Sequence, residues 1–184
     1  MRIQPVEKDK ATDVVRRIYD ALEQRAGSVS DFTKMLAHKP EVLRAFNQPF
    51  AAVMAEDTLS RRLKELAFLR VSILNGCAYC VHSHTASGKR RGLTDAQIAA
   101  LKEAGGERRE DLFTAEEHAI LRFADLLRSY PGNITPEDLD ALAVYLSEEQ
   151  IIELVLTIAT ASWTNLVNDG LQTPVPQVRQ PALA

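Results

Sequence analysis

Residues 65–93 read ELAFLRVSILNGCAYCVHSHTASGKRRGL, and they hold the clearest structural pattern in the chain. A strongly apolar segment over 59–74 predicts a helix, which the pair Asn75-Gly76 breaks. A second helical segment is predicted over 77–90. Two helices joined by such a short turn form a helical hairpin, and its turn carries the only two cysteines of the chain.

The C-terminal half of the chain contains repeated helix-start signals. Capping boxes of the Ser/Thr-x-x-Glu/Gln type begin at Thr94, Thr114 and Ser147, and a Thr-Pro pair at 135–136 marks a fourth start. Apolar residues follow each start at three- and four-residue spacing. The helices predicted on this basis are 94–104, 115–129, 136–146 and 148–168.

Two further helical regions are predicted near the N-terminus. An apolar stripe from Val14 to Leu22 indicates a first helix. The segment 32–50 indicates one or two more helices, interrupted near Pro40 and Pro49, because proline lacks a backbone N–H and clashes within a helix. The predicted fold class is therefore all-α.

The length and composition are those of one domain. A chain of 184 residues with 46% hydrophobic content can bury a substantial core, so we expect a single helical domain over 1–184. The stretch 171–184, LQTPVPQVRQPALA, contains three prolines and predicts an extended tail. Such a tail is either disordered or laid across a neighbouring subunit.

Charge and hydrophobic patterning exclude several classes of partner. The net charge is −3 with both signs interspersed, which is unlike the basic surface that neutralises a phosphate backbone, so no nucleic-acid partner is expected. The N-terminus MRIQPVEKDK lacks the apolar core of a secretory signal, and no stretch approaches the roughly 18 apolar residues of a membrane span. We expect a cytoplasmic protein without a membrane partner.

Cys77 and Cys80 are candidate reactive thiols. Two cysteines three residues apart are too few and too close for a disulfide framework. Both lie at a predicted helix start, where the helix dipole favours a thiolate, and this dipole argument alone makes Cys77 the more acidic. His84 continues the same helix face, so its imidazole can reach the thiols. The alternative is a pair of buried, small apolar side chains.

Glu65 is the fourth candidate site residue. It lies about three helical turns before the hairpin turn, and folding the hairpin brings it within roughly a turn of His84. A carboxylate, an imidazole and a thiol could then form a proton relay. The alternative for Glu65 is an ion pair with Arg61, four residues earlier, on a solvated helix face. The other histidines of the chain are interpreted as packing or surface residues.

The hairpin resembles a known family. The pattern Glu-x11-Cys-x2-Cys-x3-His is that of the AhpD-like alkylhydroperoxidases within the carboxymuconolactone decarboxylase superfamily, and Glu65, Cys77, Cys80 and His84 match it position by position. The match covers about thirty residues. One position departs from the pattern, since well-known AhpD proteins have a histidine between the two cysteines where this chain has Tyr79.

The resemblance implies an AhpD-like helical bundle with thiol peroxidase activity on hydrogen peroxide or organic hydroperoxides. In that scheme Cys80 attacks the peroxide, Cys77 resolves the product as a disulfide, and His84 with Glu65 moves the proton. No cofactor or metal is implied. The implied partners are a hydroperoxide substrate, an external dithiol or disulfide-reductase donor, and further copies of the chain in a homo-oligomer.

Three other functions use the same residues or the same family. A general thiol–disulfide oxidoreductase or redox sensor would use the cysteine pair without efficient peroxide turnover. A zinc module would take both cysteines and His84, but structural zinc normally requires a fourth protein ligand. A lactone decarboxylase, the other activity named in the superfamily, is disfavoured because those enzymes lack the cysteine pair.

Overall fold

The structure is a computed structural model that describes residues 3–103 and 105–176, and within those ranges it contains helices and no strand. The prediction of an all-α fold is confirmed. The α-helices are, in chain order, α1 Asp13–Ala26, α2 Asp31–Leu36, α3 Pro40–Val53, α4 Arg61–Asn75, α5 Ala78–Arg90, α6 Asp95–Lys102, α7 Ala115–Ser129, α8 Pro136–Ala143 and α9 Glu148–Leu171.

Helix α4 is the centre of the bundle. Every residue from Leu63 to Ser72 is buried, and the helix packs against α5, α7 and α9. A helix that is buried on all sides belongs to the core rather than to the surface layer. Residues on several faces of α4 therefore lie in a medium of low dielectric, which strengthens every polar interaction that they make.

The buried charges of α4 are paired, as burial requires. The Lys64 ammonium is fully buried and contacts a Glu153 carboxylate oxygen of α9 at 2.6 Å and the Ala55 carbonyl at 3.0 Å. On another face, Arg70 binds both carboxylate oxygens of Asp125 of α7 at 2.7 Å. These pairs connect α4 to α9 and to α7.

The predicted hairpin between α4 and α5 is confirmed, with boundaries shifted by one or two residues. Gly76 adopts the left-handed backbone conformation, with φ 71°, which only glycine adopts without a steric penalty. Its N–H donates to the Ile73 carbonyl at 3.0 Å, and the Cys77 N–H donates to the Ser72 carbonyl at 3.1 Å. This closing motif places Cys77 as the residue that caps α5.

Pro49 does not interrupt the third helix, and that part of the prediction is wrong. Helix α3 starts at Pro40, where a missing N–H has no effect, and runs through Pro49 to Val53. Pro49 and Ala45, whose carbonyl loses its partner, are both exposed. Water can therefore solvate the freed carbonyl, so the helix tolerates the proline.

The C-terminal helix is longer than predicted, and it takes up Leu171, the first residue of the predicted extended tail. Gln172 turns the chain with φ 53°, and residues 173–176 have no regular structure. The remainder of that tail, 177–184, lies outside the described residues. Helices α6 and α8 end two and three residues earlier than predicted.

Helix α9 has apolar residues on two faces. Leu154 and Ile158 are buried in the core, whereas Ile152, Leu156 and Leu166 are exposed. Among the described residues it is the one helix long and apolar enough, by length and composition alone, to cross a membrane, a test that core helices of soluble proteins also pass.

Candidate functional site

Glu65 is the centre of a buried polar cluster between α4 and α5. Its side chain is fully buried, and its Oε2 lies 2.7 Å from Nδ1 of His84. Its Oε1 accepts hydrogen bonds from Nε of Arg61 at 2.8 Å and from the Ser87 hydroxyl at 2.7 Å. The hairpin thus brings together the carboxylate and the imidazole that the sequence placed on separate helices.

Both interpretations of Glu65 describe part of the observed arrangement. The ion pair with Arg61 exists, but the carboxylate is buried instead of solvated and also contacts His84. Burial alone would raise the pKa of Glu65, but the hydrogen bond and charge of His84, together with Arg61 and Ser87, outweigh it and lower the pKa to about 2. Glu65 is therefore a carboxylate near neutral pH.

His84 is held in one orientation. Its Nδ1 contacts Glu65, and its ring stacks on Phe68 with centroids 3.6 Å apart and planes 15° from parallel. When the Nδ1 proton is donated to Glu65, the neutral ring carries its free lone pair on Nε2. His84 and Cys80 line the same cavity, so this imidazole can accept and return a proton there.

The two thiols have different surroundings. Both are free and buried, but Cys80 lines the cavity, whereas Cys77 does not. A hydrogen bond donated by the Cys77 thiol lowers the pKa of Cys80, and hydrogen bonds from the side chains of Asn165 and Asn168 lower it further. Burial acts in the opposite direction. The hydrogen bond between the thiols, together with burial, raises the pKa of Cys77. The dipole argument that favoured Cys77 is outweighed by these contacts.

Asn168 is a site residue that sequence reasoning missed. Its Nδ2 lies 3.4 Å from the Cys80 sulfur and 2.9 Å from the Thr164 carbonyl, so the amide N–H₂ faces two acceptors. Asn168 is 88 positions from Cys80 in the chain, and no local motif links them. Ser87 was also missed, although its place one helical turn beyond His84 on α5 is a signal that could have found it.

Asn165 connects the part of α9 that lies beside the cysteines to α4. Its Nδ2 donates to the Ser72 hydroxyl at 3.1 Å, and its Oδ1 accepts from Nδ2 of Asn75 at 2.8 Å. The Asn75 Oδ1 in turn accepts from Nε of Arg128 at 2.6 Å. These bonds fix α9 against the hairpin turn and hence hold Asn168 beside Cys80.

A cavity of about 250 Å³ opens onto this cluster. Besides Cys80 and His84, it is lined by four phenylalanine rings, which come from α2, α3 and α4: Phe32, Phe46, Phe50 and Phe68. The Tyr79 hydroxyl, one residue before Cys80, accepts a hydrogen bond from the Phe32 N–H at 3.1 Å. Tyr79 thereby anchors α2 over α5 and helps to close the cavity.

A larger cavity of about 950 Å³ lies elsewhere, beside α7 and α8, and neither the cysteines nor Glu65 line it. His118 lines that cavity, and His38 bonds the Gln4 carbonyl at 2.8 Å, so neither joins the cysteine site. Within the described ranges, no group of three or more His, Cys, Asp or Glu side chains is placed to hold a metal ion. Of the predicted site residues, Cys80 and His84 line the smaller cavity.

Sequence comparison gives the family. Residues 40–125 match the model of the carboxymuconolactone decarboxylase family. The uncharacterized protein YdfG of Bacillus subtilis (strain 168) is 32% identical over 113 residues, which make up 60% of this chain and 75% of that protein. The matched residues include Glu65, both cysteines and His84.

Comparison with solved structures gives the fold. The alkylhydroperoxidase AhpD core of an uncharacterized peroxidase-related protein from Ralstonia eutropha JMP134 is 21% identical, with a TM-score of 0.83 over 96% of this chain and 92% of that chain. The debrominase Bmp8, solved in complex with 2,3,4-tribromopyrrole, is 23% identical, with a TM-score of 0.78 over the same shares. The predicted AhpD-like helical fold is confirmed.

Proposed function

This chain belongs to the carboxymuconolactone decarboxylase family, and from that premise we propose that it is a thiol peroxidase that reduces hydrogen peroxide or organic hydroperoxides. The observation that carries the proposal is the contrast between the two thiols. Cys80 lines a cavity, receives a hydrogen bond from Asn168 and has a lowered pKa, whereas Cys77 is fully buried behind it. A peroxidatic thiol needs the first environment and a resolving thiol suits the second.

The first step is oxidation of Cys80. Nε2 of His84 takes the thiol proton, and Glu65 stabilises the imidazolium that forms. The Cys80 thiolate attacks the terminal oxygen of the hydroperoxide, so an S–O bond forms as the O–O bond breaks. The departing alkoxide, or hydroxide for hydrogen peroxide, takes the proton from His84 and leaves as an alcohol or water. Cys80 is then a sulfenic acid, and the peroxide has been reduced by two electrons.

The second step is resolution by Cys77. Its sulfur attacks the sulfenic sulfur of Cys80, a disulfide forms, and the hydroxyl group leaves with the Cys77 proton as water. Two thiol–disulfide exchanges with an external dithiol then restore both thiols. The proposal requires no cofactor, and its partners are the hydroperoxide and the dithiol donor.

The second candidate function is general thiol–disulfide exchange or redox sensing. Burial disfavours exchange with a protein disulfide, because Cys80 is only 3% exposed and a large partner cannot reach its sulfur without opening the bundle. A small peroxide or a small dithiol can enter through the cavity. We therefore expect reduced lipoamide to regenerate the oxidised enzyme faster than thioredoxin does.

The decisive experiment is single-turnover mixing of the reduced protein with hydrogen peroxide and with cumene hydroperoxide. We expect fast consumption of one equivalent, abolished by Cys80→Ser. The Cys77→Ser variant should still consume one equivalent but stop at a Cys80 sulfenic acid that dimedone traps. Consumption no faster than that of a free thiol would exclude the peroxidase. A brominated pyrrole tested in parallel would show whether the debromination named for Bmp8 extends to this chain.

We also propose that the protein is a cytoplasmic homo-oligomer. The support for self-association is the outer face of α9, where Ile152, Leu156 and Leu166 are 47–75% exposed. Exposed apolar residues along one helix face are typical of an interface. Light scattering should show a species larger than the 20.4 kDa chain, and Leu166→Glu should shift it towards the monomer. A monomer at all concentrations would refute the proposal.

A further inference from the structure

The cavity at Cys80 is positively charged. Among the described residues that line it are three arginines, Arg25, Arg61 and Arg90, and no aspartate or glutamate. Arg61 is neutralised by its ion pair with Glu65. Arg25 and Arg90 are exposed, and neither forms a salt bridge with any residue in the described ranges. Two uncompensated positive charges therefore stand at the mouth of the cavity.

The interior of the cavity is apolar and aromatic. The rings of Phe32, Phe46 and Phe50 form one wall, and the Phe46 ring stacks on Trp163 with centroids 4.3 Å apart. A volume of about 250 Å³ is roughly that of eight water molecules. Hydrogen peroxide would fill only a small part of it, and an aromatic or branched apolar group would displace the water and contact the rings.

We propose that the preferred substrate is an organic hydroperoxide with an apolar body and a carboxylate at the end remote from the peroxide. This inference rests on the proposed peroxidase function. The hydroperoxide would lie at Cys80 and His84, the body along the phenylalanine wall, and the carboxylate at Arg25 and Arg90. A guanidinium binds a carboxylate through two parallel hydrogen bonds, which gives the mouth a geometric preference for this anion.

The kinetic test uses two substrates that differ by one charge, para-carboxycumene hydroperoxide and its methyl ester. We expect kcat/KM to be about fivefold higher for the acid, since exposed ion pairs contribute modestly. The ratio should fall towards one at about 0.5 M salt, where charges at an open mouth are screened. Equal kcat/KM values at low salt would overturn the inference and leave the peroxidase function standing.

The roles of Arg25 and Arg90 are tested by two double variants that each remove two positive charges. In Arg25→Gln/Arg90→Gln, the acid-to-ester ratio should collapse to about one. In Arg17→Gln/Arg44→Gln, which removes two exposed arginines that do not line the cavity, the ratio should persist. A ratio that falls equally in both variants would mean that net charge, and not this mouth, selects the acid, and would contradict the proposal.

A binding measurement separates this inference from the proposed function. The single tryptophan, Trp163, stacks on the cavity wall, so its fluorescence should report ligand entry. The unreactive para-carboxycumyl alcohol should bind about fivefold more tightly than its methyl ester, and Arg25→Gln/Arg90→Gln should remove the difference. If no hydroperoxide is consumed but this preference is found, the peroxidase proposal and the hydroperoxide group of the substrate fail, and the preference of the cavity mouth for a carboxylate stands. Equal affinities for acid and ester would overturn the inference independently of catalysis.

Discussion

Two of the ion-pair clusters on helix α4 differ in the groups that they place beside a cavity. At one end, the Arg70 guanidinium binds Asp125 bidentately, contacts the Leu101 carbonyl at 3.1 Å and lies 3.2 Å from Glu107. Near the other end, Glu65 holds one nitrogen of His84, a residue that lines the cavity beside Cys80. The first cluster places Asp125 and Glu107 at the larger cavity with no thiol beside them, whereas the second places the His84 imidazole at the smaller cavity together with the Cys80 thiol.

This contrast separates structural from chemical ion pairs in this bundle. Each cluster joins a buried charge of α4 to partners at hydrogen-bond distance, so burial of that charge and pairing alone do not distinguish them. The distinction lies in whether the titratable group that faces a cavity stands beside a nucleophile, as His84 stands beside Cys80. The Arg70 cluster should therefore act on stability, and the Glu65 cluster on stability and on Cys80 chemistry together.

The largest expected effect is on the stability of the protein when the Arg70 cluster is broken. Arg70→Met should lower the free energy of unfolding by about 3–5 kcal/mol, because it leaves Asp125 without its partner and Glu107 with only the exposed Arg108. Urea denaturation measures this loss. The rate of Cys80 oxidation in the folded protein should stay near that of the wild type. A control, Arg108→Met, removes an arginine that is 85% exposed and should cost no more than a few tenths of a kcal/mol. A large loss of oxidation rate in folded Arg70→Met would erase the distinction between the clusters.

The second prediction concerns acid stability. The pKa of Glu65 is about 2 in the folded protein, below the ordinary 4.5, so folding favours its ionised form. That contribution, about 3 kcal/mol, is fully present above pH 4.5 and is lost as the pH falls towards 2. Unfolding free energies measured across this window should fall more steeply in the wild type than in Glu65→Gln. Parallel curves would show that Glu65 is not stabilised as a carboxylate.

The third prediction tests the relay. Glu65→Gln keeps the side-chain shape but removes the charge that stabilises an imidazolium at His84. Peroxide turnover should fall by about 100-fold, and the pH profile of Cys80 oxidation should move to higher pH. A strong oxidant should still form the Cys77–Cys80 disulfide. If Glu65 serves only as the partner of Arg61, the two profiles will overlap and turnover will be unchanged.

The smallest effect is expected at Asn168. Asn168→Leu removes the hydrogen bond to the Cys80 sulfur, so the pKa of Cys80 should rise and the oxidation rate near neutral pH should fall by about tenfold, or about 1.4 kcal/mol. Thiolate absorbance against pH measures the shift. Asn47→Leu, which makes the same change elsewhere in the cavity lining, should leave the Cys80 titration in place. An unchanged titration in Asn168→Leu would assign Asn168 to packing alone.

Local sequence patterns predicted most of the helices and the site residues that lie on the α4–α5 hairpin. The capping boxes at Thr94, Thr114 and Ser147 are all present, and each fixes a helix start through contacts that span only three residues. The pairing of Glu65 with His84 was also predictable, because two helices joined by a short turn pack antiparallel and bring together residues at similar distances from the turn. The predicted interruption at Pro49 was wrong because local sequence does not show that this position is exposed, where water can solvate the carbonyl that proline leaves free.

The helices, the hairpin turn at Gly76 and the residue types that meet there follow from local sequence, because backbone sterics and short-range hydrogen bonds set them. Only the tertiary structure brings Asn165 and Asn168 to Cys80 from a helix more than eighty residues away, where they add to the effect of the Cys77 hydrogen bond in lowering the pKa of Cys80. Packing of the bundle also assembles the cavity, because Arg25 comes from α1 and the phenylalanine wall from α2 and α3, outside the hairpin that carries the cysteines. Hydrogen bonding to a sulfur and the charge around it depend on distance in space, and only packing of the whole bundle sets that distance.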